Sequence, residues 1–278
     1  MAAEVISYIE AMRVSLVIVM VLGTMQLGCM AWLGMPALSS GVVGTTSLGA
    51  VKGGARLLPN GSSYRLYHRP ERAFGTPTLV AAVVRAAEKV ACEYPETELA
   101  VGDMSAETGG RISGHRSHRG GRDVDFAYFA TDLFGDPVSP TPLVRFDRFG
   151  VGVRDDEVLL FDAARNWTLV ESLLEDEDAD VQWIFVSRGI KALLLEWGID
   201  HARDIRTVER AVDVLKQPGD SAPHDDHCHV RIFCPQNGEG TYCVDTGPVW
   251  PWVEARRASA RDRLSTDEWL VEAALDGL

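Results

Sequence analysis

The segment Pro223-His-Asp-Asp-His-Cys-His-Val-Arg-Ile-Phe233 changes character half-way along. Its first half is polar and opens on proline, as loops do. Its second half, His229-Val-Arg-Ile-Phe233, is β-branched and aromatic and predicts a strand. Alternation along such a strand puts His227 and His229 on one face, about 6.5–7 Å apart, and turns Cys228 to the other. A second stretch, His118-Arg-Gly-Gly-Arg-Asp-Val-Asp125, has a glycine turn leading into a strand over Val124–Phe129. Asp123 and Asp125 share one face of it. If the Asp125 strand lies beside the His229 strand, with His118 on the preceding loop, three metal-binding groups meet.

Those groups suit a particular chemistry. Four of the seven histidines, His118, His224, His227 and His229, lie in these two stretches, and His115 stands three residues before His118. Two imidazoles and a carboxylate are the protein share of a catalytic zinc site whose fourth position holds water. Zinc lowers the pKa of such a water to about 7. His227 cannot easily share a metal with His229 from the same face of one strand, so it is placed as the neighbour that exchanges a proton. His224 and Asp226 are further candidates for that work, since carboxylates orient histidines around metals. Asp123 is expected to cap a turn or bond backbone. Arg122 is weighed between a surface position and contact with a substrate carboxylate. His68 and His201 read as solitary surface or core residues.

Outward from these motifs, Thr78–Glu93 carries apolar residues at helical spacing up to Pro95. Leu99–Asp103 reads as a short strand, and Gly109–Gly114 as a loop into the first motif. Residues 135–157 read as a long excursion and Phe161–Leu174 as a helix. Glu175–Asp180 reads as a solvated acidic loop, Val181–Ser187 as a buried strand, and Ile190–Trp197 and Arg206–Leu215 as helices. Trp269–Leu278 predicts a short amphipathic helix. Strands and helices mix without a βαβ rhythm, so the class is α+β.

With 46% hydrophobic and 24% charged residues, the 278-residue chain can bury an ordinary core. A formal net charge of −13 excludes long-range attraction to nucleic acid or to an anionic membrane surface. Residues 14–35 form an apolar run that fits an export signal or a membrane anchor within 1–38. Cleavage near Ala37, an uncleaved helix and a lipid on Cys29 are the three fates open to it. Residues 39–56, rich in Gly, Ser and Thr, read as a linker to a domain over 57–278. Export brings an oxidising compartment. Cys234 and Cys243 flank a Pro/Asn/Gly turn and are expected to close a disulfide loop. Cys92 and Cys228 either pair or stay as thiols.

The residues Ser113–Asp125 and Pro223–Pro235, together with Gly102-Asp-Met-Ser105, Phe161-Asp-Ala-Ala-Arg-Asn-Trp167 and Val181–Ser187, resemble the penicillin-insensitive murein endopeptidases. That family belongs with the lysostaphin-type enzymes and the D-alanyl-D-alanine dipeptidases among zinc peptidases. The resemblance covers roughly residues 55–245. It implies a small antiparallel sheet carrying the ligands, as in the D-alanyl-D-alanine peptidase fold. It implies zinc on His118, Asp125 and His229, and His227 assisting catalysis with His224 near it. The histidine matching His115 can sit near metal too, so a second ion is implied as an option. The implied substrate is periplasmic peptidoglycan, cut at D-alanyl-meso-diaminopimelyl cross-links. A D,D- or L,D-carboxypeptidase is a close alternative. A non-catalytic peptidoglycan-binding protein with a structural metal is a more distant one.

Overall fold

The computed structural model describes residues 41–275 apart from 96, 220 and 237–241, with side chains described up to residue 263. The expected export segment, with the apolar run 14–35 and Cys29, lies outside the described residues. Among the described residues no helix is long and apolar enough to cross a membrane.

The expected linker carries three short strands, beginning at its third residue. Strands β1 (Gly41–Gly44) and β2 (Gly49–Lys52) form an antiparallel hairpin in which Val42 faces Val51. Both valines are buried, and that burial outweighs the loop-like composition around them. The turn is held by Thr45, whose Oγ1 accepts from the Leu48 N–H at 3.0 Å. Strand β3 (Ala55–Arg56) follows, then β4 (Tyr64–Leu66) and β5 (Phe74–Gly75), which pairs with β3. The hairpin also has a supporting role. The Val51 N–H donates to the Thr108 carbonyl at 3.0 Å, and the Arg119 N–H donates to the Thr46 carbonyl at 3.1 Å. It therefore grips both ends of the loop that bears His115 and His118.

Helix α1 (Pro77–Glu93) begins where the sequence signals it. Thr76 caps it by accepting from the Leu79 N–H at 3.1 Å, and Pro77 takes the first turn. Its buried stripe is Leu79, Ala82, Val83, Ala86, Ala87 and Val90, the period of a helix packed along one side. Strands β6 (Leu99–Val101) and β7 (Asp123–Ala127) follow. The stretch read as an excursion builds a second sheet from β8 (Ala130–Thr131), β9 (Pro137–Val138), β10 (Val151–Arg154) and β11 (Glu157–Phe161), in the order β10-β11-β8-β9. Phe161 ends a strand instead of starting a helix. Helix α2 (Ala163–Glu175) starts two residues later because Asp162 caps it, accepting from the Arg165 N–H at 3.0 Å.

Strand β12 (Val181–Phe185), helices α3 (Arg188–His201) and α4 (Ile205–Val214), and strands β13 (Leu215–Lys216) and β14 (His227–Ile232) complete the main body. Strand β15 (Tyr242–Cys243) pairs in parallel with β1, and helix α5 (Pro251–Leu275) is longer than the short helix expected. The acidic patch is not solvated throughout. Asp176 takes two hydrogen bonds from Arg85, at 2.8 and 2.9 Å. Asp180 is buried and pairs with Arg256 and with Arg257 of α5.

The main sheet has the order β13-β12-β14-β7-β6-β4. Its central pairings are antiparallel, as expected, while the outer pairs β12–β13 and β4–β6 are parallel. Alternation separates its two faces. Val124, Phe126, Cys228, Val230 and Ile232 point into one hydrophobic cluster with residues of α1 and α2. Asp123, Asp125, His227 and His229 take the opposite side. Cys234 and Cys243 are disulfide-bonded, whereas Cys92 is an exposed thiol and Cys228 a buried one. The α+β class holds.

Phe126 is fully buried behind the site strand. Phe126→Ala should cost about 3–5 kcal/mol of folding stability, read from the midpoint shift in urea denaturation; a change under about 1 kcal/mol would contradict this packing.

Candidate metal centre

The register of two strands creates the centre. In the β7–β14 pair, Asp125 stands opposite His229 and Asp123 opposite Arg231. His118 enters from the loop before β7, with a φ of 63°. Non-glycine residues seldom adopt this left-handed conformation, and it is tolerated where the surroundings fix it. Here the His118 N–H donates to Asp123 Oδ2 at 3.2 Å, and the ring Nδ1 pairs with the Met104 carbonyl at 2.7 Å.

Tautomers follow from these bonds. A carbonyl only accepts, so His118 Nδ1 carries the hydrogen and Nε2 is left facing inward. His229 Nε2 lies 2.8 Å from Asp123 Oδ1, which likewise leaves its Nδ1 facing inward. His118 Nε2 and His229 Nδ1 are 3.3 Å apart. Asp125 Oδ1 is 3.3 Å from the first and 3.5 Å from the second. It is also a buried oxygen without a hydrogen bond of good geometry. Three electron-pair donors thus converge in a buried space. Ligand atoms about 2.0–2.1 Å from a tetrahedral cation stand about 3.3–3.4 Å from one another. The triangle matches that spacing, so the donor set fits such a cation.

Electrostatics agree with the geometry. Burial disfavours charge on His118, but Asp125 and then Asp123 outweigh it and raise its pKa to about 9. Below that pH the ring holds a proton that a cation must displace. Burial and the neighbouring His118 charge push His229 down to about 4, against the pull of Asp123. Burial alone would raise Asp125, yet the surrounding histidines hold it far below the usual carboxylate range.

His115 stands on the outer side. Its ring nitrogen, a ring nitrogen of His118 and a carboxylate oxygen of Asp125 form a group whose atoms lie within 4.8 Å of one another. Its Nε2 is 2.8 Å from Asp103 Oδ2, and its Nδ1 is 3.8 Å from Asp125 Oδ2. Two overlapping ligand sets therefore share His118 and Asp125. The set completed by His229 is the tighter, and it fits one ion; His115 faces the other oxygen of Asp125.

His227 is placed beside the triangle, with Nε2 3.8 Å from Asp125 Oδ1. Its Nδ1 lies 2.6 Å from Asp226 Oδ1. Burial opposes charge on His227, but the Asp226 bond and the field of Asp125 raise its pKa above the ordinary value. His224 also has a left-handed φ, 59°. Its carbonyl accepts from the Tyr128 hydroxyl and the Ser187 N–H, both at 3.0 Å. Its ring centroid is 4.9 Å from that of His227 and 5.6 Å from that of His229. Burial and the His227 charge lower its pKa, which favours the neutral ring.

Several residues depart from the sequence reading. Asp123 bonds backbone as expected, but it also orients His229 and accepts from Arg231 Nε at 2.7 Å. Arg122 is no surface group: it is buried, and it holds Asp245 Oδ1 at 2.6 Å and the Ile232 and Val244 carbonyls at 3.1 Å. His68 is not solitary, since its Nδ1 lies 3.0 Å from Asp103 Oδ1. Asp103 is the carboxylate that sequence reasoning missed. It is buried among His115, His68 and Arg72, which together outweigh burial and hold its pKa at about 2. The only signal for it was its place in Gly102-Asp-Met-Ser105. His201 is exposed and stacks on Trp197 with ring centroids 3.9 Å apart.

A family model described as penicillin-insensitive murein endopeptidase matches residues 42–253. The chain belongs to that family. The penicillin-insensitive murein endopeptidase of Pectobacterium atrosepticum is 29% identical over 204 residues, covering 69% of this chain and 64% of that protein. The one from Yersinia pestis is 29% identical over 211 residues, covering 74% of this chain and 70% of its own length. The family match begins inside β1, so the hairpin read as a linker lies within the family's matched region.

Replacing Asp123 by Asn leaves His229 without its carboxylate. Divalent-metal affinity should fall about 10–100-fold in a competition titration with a chromogenic chelator, and an unchanged affinity would remove Asp123 from this role.

Proposed function

We propose that this protein is a zinc-dependent peptidoglycan hydrolase that cuts D-alanyl-meso-diaminopimelyl cross-links. The observation that carries the proposal is the buried triangle of His118 Nε2, Asp125 Oδ1 and His229 Nδ1, with sides of 3.3, 3.3 and 3.5 Å. Family membership supplies the substrate class. The disulfide Cys234–Cys243 and the apolar run 14–35 support an exported, periplasmic site of action.

His118, Asp125 and His229 would hold the ion, and His115 stands where it can approach the same carboxylate. Zinc there supplies Lewis acidity and makes hydroxide available near neutral pH. The chain's own residues do the rest. Asp226 Oδ1 accepts from His227 Nδ1, which fixes that ring with Nε2 towards the centre. From there Nε2 takes a proton from the attacking water and returns it to the leaving amine. Asp226 offsets the positive charge on His227 between those two transfers. His224, kept neutral, closes the far side of the ring cluster. A structural metal in a non-catalytic binding protein would have no use for the Asp226–His227 pair, which favours the enzyme.

His118→Ala and His229→Ala should each lose bound zinc and cross-link cleavage together. Mass spectrometry of cross-linked muropeptides should show loss of dimers, blocked by a chelator and restored by zinc. Full cleavage by His118→Ala would reject the proposal, and release of terminal D-alanine from monomeric pentapeptides with dimers untouched would favour the carboxypeptidase. His227→Ala should keep its zinc while kcat falls about 10²–10⁴-fold; a variant that keeps both zinc and turnover would take the proton role from His227.

A further inference from the structure

Phe146 is buried against Tyr128 and Phe161, with ring centroids 6.3 and 5.8 Å away. Its N–H donates to the Asp225 carbonyl at 2.8 Å. Tyr128 in turn donates its hydroxyl to the His224 carbonyl. The segment read as an excursion is thereby fastened to the loop that carries His224 and Asp226 and leads into His227.

Arg145 immediately precedes Phe146. Its side chain is 71% exposed, yet its Nε stands 3.7 Å from Asp226 Oδ2. Asp226 uses its other oxygen for His227, so Arg145 is the outer end of a line that runs through Asp226 and His227 to Asp125, with links of 3.7, 2.6 and 3.8 Å. An ion pair this exposed adds little to stability. A guanidinium is a fork of five donors, and a contact through Nε leaves its terminal nitrogens for a second anion.

Asp103 and Asp123 have cationic partners of their own in Arg72 and Arg231, whereas Arg145 is an exposed cation beside Asp226. In a chain of net charge −13, a substrate that carries carboxylates is drawn to a positive group at the mouth of the site. Peptidoglycan stem peptides carry them. In the cross-link considered above, one carboxylate sits on the carbon bonded to the scissile amide nitrogen.

The geometry points to Arg145 as the residue that binds the carboxylate beside the scissile amide and so selects peptides in which it is free. This rests on the reading of the site as a murein endopeptidase. Arg145 acts on the substrate directly, with its backbone position set by the Phe146 cluster and its side chain steadied by Asp226.

The test uses the full chain and two muropeptide dimers that differ only in that carboxylate, free in one and amidated in the other. The unaltered protein should prefer the free dimer by about tenfold in kcat/KM, the scale of a charge-assisted hydrogen bond at an interface rim. Arg145→Ala should lose that preference, its KM rising far more for the free dimer than for the amidated one. Arg145→Lys should retain part of the preference. Matched zinc content and circular dichroism establish that the variants are folded. Equal cleavage of both dimers by the unaltered protein would overturn the inference. So would an equal fall in kcat on both dimers in Arg145→Ala, which would mean that Arg145 works only through Asp226 and His227. If the unaltered, zinc-loaded protein cleaves neither dimer, the endopeptidase reading itself fails and takes the inference with it.

Discussion

One buried carboxylate, Asp123, holds the centre together. Removing an ionised carboxylate from water costs several kcal/mol unless donors surround it. Asp123 is fully buried, and it accepts from the His118 backbone, the His229 ring and Arg231. Burial would raise its pKa, but Arg231 and the two histidines reverse that and keep it ionised. The same three bonds set the backbone turn at His118 and the ring orientation of His229. The geometry of the metal triangle is therefore a consequence of satisfying one charge. Arg122, next in sequence, extends the arrangement by tying Asp245 and Val244 to the back of the same strand.

The sequence made the candidate ligands legible because strand alternation is a local rule. Once Asp125 and His229 are placed on strands, their shared face follows from their positions, and the β7–β14 register brings them opposite each other. Asp226 was legible for a similar reason, being next to His227. What local rules could not reach were partners from distant segments. Asp103 is far in sequence from His68 and close to His115 only through a glycine loop, so no spacing announced it. Met104 contributes a carbonyl, which every residue has, and left no trace at all.

Composition hid other elements. Composition at 39–56 is that of a flexible segment, but two valines at the right register were enough to bury a hairpin. The excursion at 135–157 misled in the same way: Asp155 and Asp156 sit in a turn, but Val151 and Val153 pair across it with Leu160 and Val158, and Pro137 itself lies in a strand. The acidic patch misled through its partners, since the arginines that neutralise Asp180 lie on α5, at the other end of the chain. Only the last of these contacts is long-range; the two hairpins pair residues close in sequence and were hidden by a loop-like composition.

The position of the β1–β2 hairpin bears on how the centre comes into being. The hairpin grips both ends of the loop with His115 and His118, and its own outer edge pairs with β15, close to the C-terminal end of the described body: Val43 lies beside Tyr242 and Gly44 beside Cys243. Among the described residues the first strand thus pairs with the last. Contacts of such high sequence separation form late, because closing a long loop must precede any gain from it. A nascent or truncated chain that lacks β15 leaves the hairpin with an unpaired edge and the histidine loop without its full brace. Full bracing of the histidine loop thereby depends on a strand roughly two hundred residues further along the chain.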